Sequence, residues 1–306
     1  MNEIQGHPCP GPPMDDPVTG GAVPRSPGLL VWRRLRKHKP AAASFGVVLV
    51  LTATCMAAPL IAPYPFDAID LGAIRQMPSL AHWMGTDDLG RDLFTRILFG
   101  GRVSILIGIL SAVIGTGLGS LIGAASGFYG GRVDNLLMRF TDVVYSIPTL
   151  PLLIVLSSYS QAVVSSMALI IGLLSWMPTA RVVRGEVLAI KERAYIEAVR
   201  SLGANNLRII FRHILPNAMG PIVVGATLAV GNAIILESSL SFLGLGVQPP
   251  IPTWGNMLMD AQATMATKPW LTIFPGLAIL LVVLSVNFMG DGLQDALDPT
   301  ARQDPA

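Results

Sequence analysis

The sequence predicts an all-α integral membrane protein with six transmembrane helices. Three observations carry that expectation. Of its residues 52% are hydrophobic and only 13% charged, with a mean hydropathy of +0.58, a balance that water-soluble domains do not reach. Six apolar runs, 41–62, 103–125, 136–157, 162–180, 219–239 and 270–289, come close to or exceed the ~20 residues a helix needs to cross the hydrocarbon core. Between the fourth and fifth runs lies a basic, polar island, most concentrated over 197–216, which a membrane protein keeps only where water reaches it.

Taken in order, residues 1–28 are rich in Pro and Gly and are expected to be a disordered tail. Arg33, Arg34, Arg36, Lys37 and Lys39 then precede the first run. That run is longer than a signal-peptide core, so it reads as a retained helix. The basic cluster fits orientation by charge better than recognition of anionic lipid or nucleic acid. Residues 29–102 thus hold the basic segment, the first helix and an external loop. In that loop His82 to Asp92 read HWMGTDDLGRD, followed by an amphipathic piece with Leu93, Phe94, Ile97 and Leu98. Its acids lack calcium-loop spacing and suit turns and caps.

The second run places Gly115, Gly119 and Gly123 at four-residue intervals, a pattern that lets a neighbouring helix approach closely, for packing or for sliding. Arg132 turns the chain. Arg139 and Asp142, at i,i+3, are expected to neutralise each other at the inner interface of the third run. Pro148 and Pro151 should kink that run. Residues 103–290 form a core of five helices with the loop 191–216, and 291–306 form a C-terminal tail.

The island reads as two short helices. Nothing interrupts a helix from Glu192 to Leu202, with Glu197 and Arg200 as a weak i,i+3 pair. Gly203 stands where a helix end needs positive φ, which a Cβ resists. Asn205 or Asn206 can cap a second helix carrying Leu207, Ile210 and Phe211 on one side, and Pro216 marks the next element. The product is a compact knob with an apolar stripe and a basic rim.

Charge fixes the expected orientation. Six spans put 25–39, 126–139, 181–216 and 290–306 on one side, with sixteen of the 21 Lys and Arg; Arg75, Arg91, Arg96, Arg102 and Lys268 fall on the other. By the positive-inside rule both termini and the island are cytoplasmic.

Glu237 falls within the fifth spanning run, where ionisable groups are costly. Two readings stay open: it lines the translocation path, or it bonds to Ser238, Ser239 or a neighbouring subunit at the outer interface. His213 has no second histidine at metal spacing and reads as an interfacial residue. Cys9 and Cys55 give neither a disulfide framework nor a metal site. No phosphate-binding loop, HExxH or nucleophile elbow occurs, so no catalytic residue, metal or cofactor is expected, and energy must come from another subunit.

Several motifs carry a family resemblance. Glu197, Ala198, Val199, Gly203, Leu215 and Pro216 resemble the EAA loop of ABC importer permeases, with Val199 in place of its third small residue and His213 where an Ile is common. RHILPN at 212–217, GTDDLGRD at 85–92, SFLGLG at 241–246 and GDGLQDALDP at 290–299 resemble the dipeptide and oligopeptide branch, C-type subunit. The resemblance spans roughly residues 30 to 299. It implies the ABC importer type I permease fold, with Glu197, Ala198, Val199, Gly203, Leu207, Ile210, Leu215 and Pro216 forming a cytoplasmic coupling helix that docks on an ATPase. It further implies a heterodimer with a second permease, two cytoplasmic ATPase subunits, an extracytoplasmic substrate-binding protein, a lipid surround in the bacterial plasma membrane, and no nucleic acid. Nickel and glutathione importers share this branch. A carrier driven by an ion gradient would need repeated halves or coupling-ion groups, and Glu237 is all the sequence offers it.

Overall fold

The computed structural model describes residues 38–160 and 163–297. The tail at 1–28, the basic cluster up to Lys37 and the residues from 298 onward lie outside them. In chain order the helices are α1 (Lys39–Met56), α2 (Leu93–Tyr129), α3 (Gly131–Tyr145), α4 (Thr149–Tyr159), α5 (Val164–Leu173), α6 (Met177–Lys191), α7 (Ala194–Ser201), α8 (Asn206–Ile209), α9 (Met219–Phe242), α10 (Trp254–Ala261) and α11 (Trp270–Leu297). Among the described residues the β pairing amounts to one bridge, Thr86 to Asp92.

Helices α1, α2, α9 and α11 are each long and apolar enough to cross a membrane. The pairs α3–α4 and α5–α6 bend by 82° and 48°, and the total reaches six spans when each pair counts once. The larger bend falls at Pro148, not at both prolines. Ile147, preceding a proline, is pushed away from helical torsions, and Pro148 becomes the N-cap of α4. Pro151 then lies in the first turn, where its missing N–H had no helical partner to lose. The second bend, at 174–176, lies inside the expected fourth run, and α6 starts afresh with Pro178 in its first turn and continues to Lys191.

Two helices outrun their apolar runs. Asp92 caps α2 by accepting from the Thr95 amide at 2.8 Å, so the amphipathic piece and the second run form one 37-residue helix. At 1.5 Å per residue it is about 55 Å long, well beyond the ~30 Å hydrocarbon core. Likewise α11 carries most of GDGLQDALDP as helix, where a tail was expected.

The molecule is built on α2, which packs against α1, α5, α6 and α9, while α11 closes on α1 and α9. Gly115, Gly119, Gly123 and Gly127 turn toward the backbone between Gly172 and Val187. A methyl on Gly123 would come within 2.4 Å of the Ala180 carbonyl oxygen, so bare backbone is what lets α6 lie this close. Bidentate 2.6 Å bonds from Arg184 to Asp134 tie α3 to the same helix.

Candidate functional site

The knob forms where α6 ends. Glu192 caps that helix and Arg193 adopts extended torsions, so the island helix starts at Ala194 instead of Glu192. It stops at Gly203, whose φ of +82° is open to glycine at little cost. The Gly203 amide donates to Arg200 O at 3.0 Å and the Ala204 amide to Val199 O at 3.3 Å, the paired closure of a Schellman end. Asn205 Oδ1 accepts from the Arg208 amide at 2.8 Å and starts α8, which passes into a π turn over Ile210–Ile214 closed by Leu215 N to Ile210 O at 2.9 Å.

The knob has an inside and an outside. Ile196, Ile209, Ile210 and Ile214 are buried against Ala124 and Phe128 of α2 and Val183, Val187 and Ile190 of α6. Burial of each isoleucine stabilises by roughly 1.5–3 kcal/mol, so together they fix the knob to the ends of two spanning helices. Outside, Leu202 is 88% exposed, Leu207 61% and Phe211 54%. The expected stripe is therefore divided: Leu207 and Phe211 face out, whereas Ile210 is claimed by the core. Val199 and Leu215 are half-buried; Glu197, Ala198, Gly203 and Pro216 are exposed. Arg200 lies over the Phe128 ring at 5.7 Å in place of the expected pairing with Glu197. A groove of about 490 Å³ crosses this surface, lined by Val199, Leu202, Gly203, Ala204, Arg208, Arg212 and His213.

Glu237 is elsewhere, with no exposed surface. Its carboxylate accepts from Ser241 Oγ at 2.7 Å and from Ser104 Oγ at 3.0 Å; Ser104 Oγ in turn accepts from the Trp254 amide at 3.3 Å. One side chain thus joins α2, α9 and the start of α10.

At the head of α2 a second polar cluster closes. Asp87 accepts from the Leu89 and Arg91 amides at 2.9 Å and from Arg91 Nε at 2.6 Å, while Arg96 Nε lies 3.3 Å from the same carboxylate. Asp260 of α10 lies 3.5 Å from Arg91 and 3.8 Å from Arg96. Burial raises the Asp260 carboxyl above its usual range, against the pull of Arg96 and then Arg91. The GTDDLGRD stretch is thus a cap, a turn and an ion-pair clamp in one.

Comparison with known proteins decides the family. Residues 115–303 match the binding-protein-dependent transport system inner membrane component, and residues 26–78 the N-terminal TM domain of oligopeptide transport permease C. The chain belongs to this permease family. Its relatives include the glutathione transport system permease protein GsiD of Pectobacterium atrosepticum, 42% identical over 94% of this chain and 95% of that protein. A peptide permease protein of Brucella suis is 44% identical over 92% of this chain and 95% of its own length. The Escherichia coli GsiD is 41% identical over 91% and 92%.

As an ABC importer permease, the chain is a multi-pass membrane protein of the all-helical kind expected. The sequence brought the knob residues to attention and named Ser238, whose Oγ lies 3.5 Å from the Glu237 carboxylate, but missed Ser104 and Ser241 there and the partner of Asp142. Asp142 bonds to Arg181, 39 residues away, instead of Arg139. Ser104 carries no local signal, since serines in apolar helices usually bond to their own backbone.

Proposed function

We propose that this permease forms half of the pore of an ATP-driven importer for small peptides and is worked through the knob at 194–216. The observation that carries the reading is the division of the knob. Its inner isoleucines are packed onto α2 and α6, while Leu202, Leu207, Phe211 and a basic groove face outward. A partner that grips the outer face pulls on two spanning helices at once. Glu197, Ala198, Gly203 and Pro216 lie on the gripped side, with Val199, Ile210 and Leu215 as its backing.

In this reading the knob and both termini are cytoplasmic, on the charge asymmetry of the sequence. The complex holds a second permease as heterodimer partner, two cytoplasmic ATPase subunits and an extracytoplasmic binding protein, in a bacterial plasma membrane. Closure of the ATPase pair draws the knobs together and turns the pore outward, a rigid-body mode of switching. Peptide cargo follows from the names of the Brucella suis and GsiD relatives; glutathione, itself a tripeptide, is the second reading those names favour. The path role of Glu237 requires α10 to move, because its carboxylate is enclosed.

The test is uptake by the complete complex in proteoliposomes, offered dipeptides, longer peptides, glutathione and nickel. The expected result is ATP-dependent, vanadate-sensitive uptake of small peptides. Uptake driven by a proton or sodium gradient without ATP would overturn the proposal.

A further inference from the structure

Among the charged pairs outside the coupling knob is one that joins α3 to α6 in the open. Asp142 on α3 accepts a 2.8 Å bond from Arg181 Nη2 on α6, and the Arg181 guanidinium lies 4.5 Å from the centroid of the Tyr145 ring. Both side chains are open to the outside of this chain, 42% for Arg181 and 61% for Asp142.

Their depth makes that exposure informative. The backbone of Ala180, next to Arg181, lies against Gly119 and Gly123 of α2. Those glycines stand about 7–14 Å beyond the midpoint of the apolar run 103–125, at 1.5 Å per residue, within the ~15 Å half-thickness of the hydrocarbon core. At that inner edge a guanidinium can snorkel to the headgroups, but the short Asp142 carboxylate bonded to it cannot, so the pair is poorly placed against lipid. Both charges face a water-filled space or another protein.

The surface of α3 separates those two choices. One exposed face of α3 runs from Arg132, Asn135 and Arg139, in the inner-side stretch 126–139, to Asp142 at three- and four-residue spacing. Val133, Leu136, Phe140 and Val143, also exposed, form an adjoining apolar face. Lipid or a neighbouring subunit suits the apolar face. Packing the polar row against an apolar neighbour would bury charges without partners, so the polar row belongs to water.

We propose that Asp142 and Arg181, braced by Tyr145, line the inner half of the translocation route and exchange their mutual ion pair for the termini of a zwitterionic peptide in transit. The peptide ammonium is taken by Asp142 and its carboxylate by the forked edge of the Arg181 guanidinium, which Tyr145 holds by one face. An exposed ion pair is weak, so the exchange is easy in both directions, as passage requires. This assignment rests on the importer reading above.

Two measurements on the reconstituted complex test it. Arg181→Gln should lower uptake of a free tripeptide about tenfold, with Arg181→Lys restoring part of it, because a charged contact to the cargo is removed and then replaced without the fork. Independently, Ser146→Cys, exposed one turn beyond Asp142 and leaving the pair intact, in a chain with Cys9 and Cys55 changed to Ser, should react with a charged, membrane-impermeant thiol reagent, and tripeptide with ATP should slow that reaction. If Arg181→Gln does not insert, the labelling decides alone. A Cys at 146 that is inert to the reagent or unprotected by tripeptide, or an inserted Arg181→Gln that imports the tripeptide at the wild-type rate, would overturn the assignment while wild-type ATP-driven uptake leaves the importer reading standing. Absence of ATP-driven uptake in the wild type would remove both.

Discussion

The two ends of α2 treat charge in opposite ways. At its head Asp87, Arg91, Arg96 and Asp260 pair with one another, Asp260 half-buried and Arg96 only 2% exposed, with Arg96 Nη1 alone left without a hydrogen-bond partner among the cluster's groups. At its foot the knob keeps its isoleucines inside and shows Arg208, Arg212, Leu207 and Phe211 to solvent. A charge cluster that closes on itself holds the chain's own shape. A mixed basic and apolar surface that stays open is incomplete, and a second protein completes it. Damage at the head should therefore appear as lost stability, and damage at the foot as lost coupling in a protein that is still folded.

Substitutions at both ends test that contrast. Arg96→Ala leaves the Asp87 carboxylate without one of its two buried cations, and removal of one partner from a buried pair costs about 3–5 kcal/mol. Thermal unfolding in detergent should show a large fall, with transport lost only as far as folded protein is lost. Gly203→Val forces a β-branched residue to φ +82° at an open site, at a local cost of about 1–3 kcal/mol. Its expected signature is ATP hydrolysis that persists in the assembled complex while uptake falls about tenfold or more; normal transport would erase the distinction between the two ends.

Glu237 sharpens the comparison from the middle. Glu237→Leu strands the hydroxyls of Ser104 and Ser241 and should cost about 1–3 kcal/mol, whereas Glu237→Gln keeps an acceptor and should cost less. Unchanged uptake and substrate preference in Glu237→Gln would assign it to structure alone and end its candidacy for the translocation path. The smallest effect on stability is expected from Leu207→Ala with Phe211→Ala. Both side chains are exposed, so unfolding should shift by about 0.5 kcal/mol or less. Titration with the ATPase subunit should nonetheless show weaker binding.

What could be read in advance divides along physical lines. Apolar runs announce spans because hydrocarbon selects composition, and Gly203 was legible because chirality leaves glycine almost alone at positive φ. The bend at 174–176 fell inside an apolar run, where hydrophobic periodicity carries across a break and the local mark is Pro178 in the first turn of α6. The extensions of α2 back to Leu93 and of α11 to Leu297 were hidden in polar sequence, where a helix leaving the bilayer looks like a loop. Helical spacing groups Ile210 on one side with Leu207 and Phe211; only the packing with Val187 and Ile190 shows which of the three the core takes. Asp142 had a plausible local partner in Arg139, and no spacing rule points instead to Arg181 on another helix.

The row of glycines along α2 has a mechanical consequence. Most helix pairs meet through a cushion of side chains whose torsions can shift and soak up a small displacement. Here main chain rests almost directly on main chain from Gly115 to Gly127, so that cushion is missing. A push of an ångström delivered at Phe128 and Ile190 has little to compress on its way up, and α2 and α6 should travel as a single stiff strut.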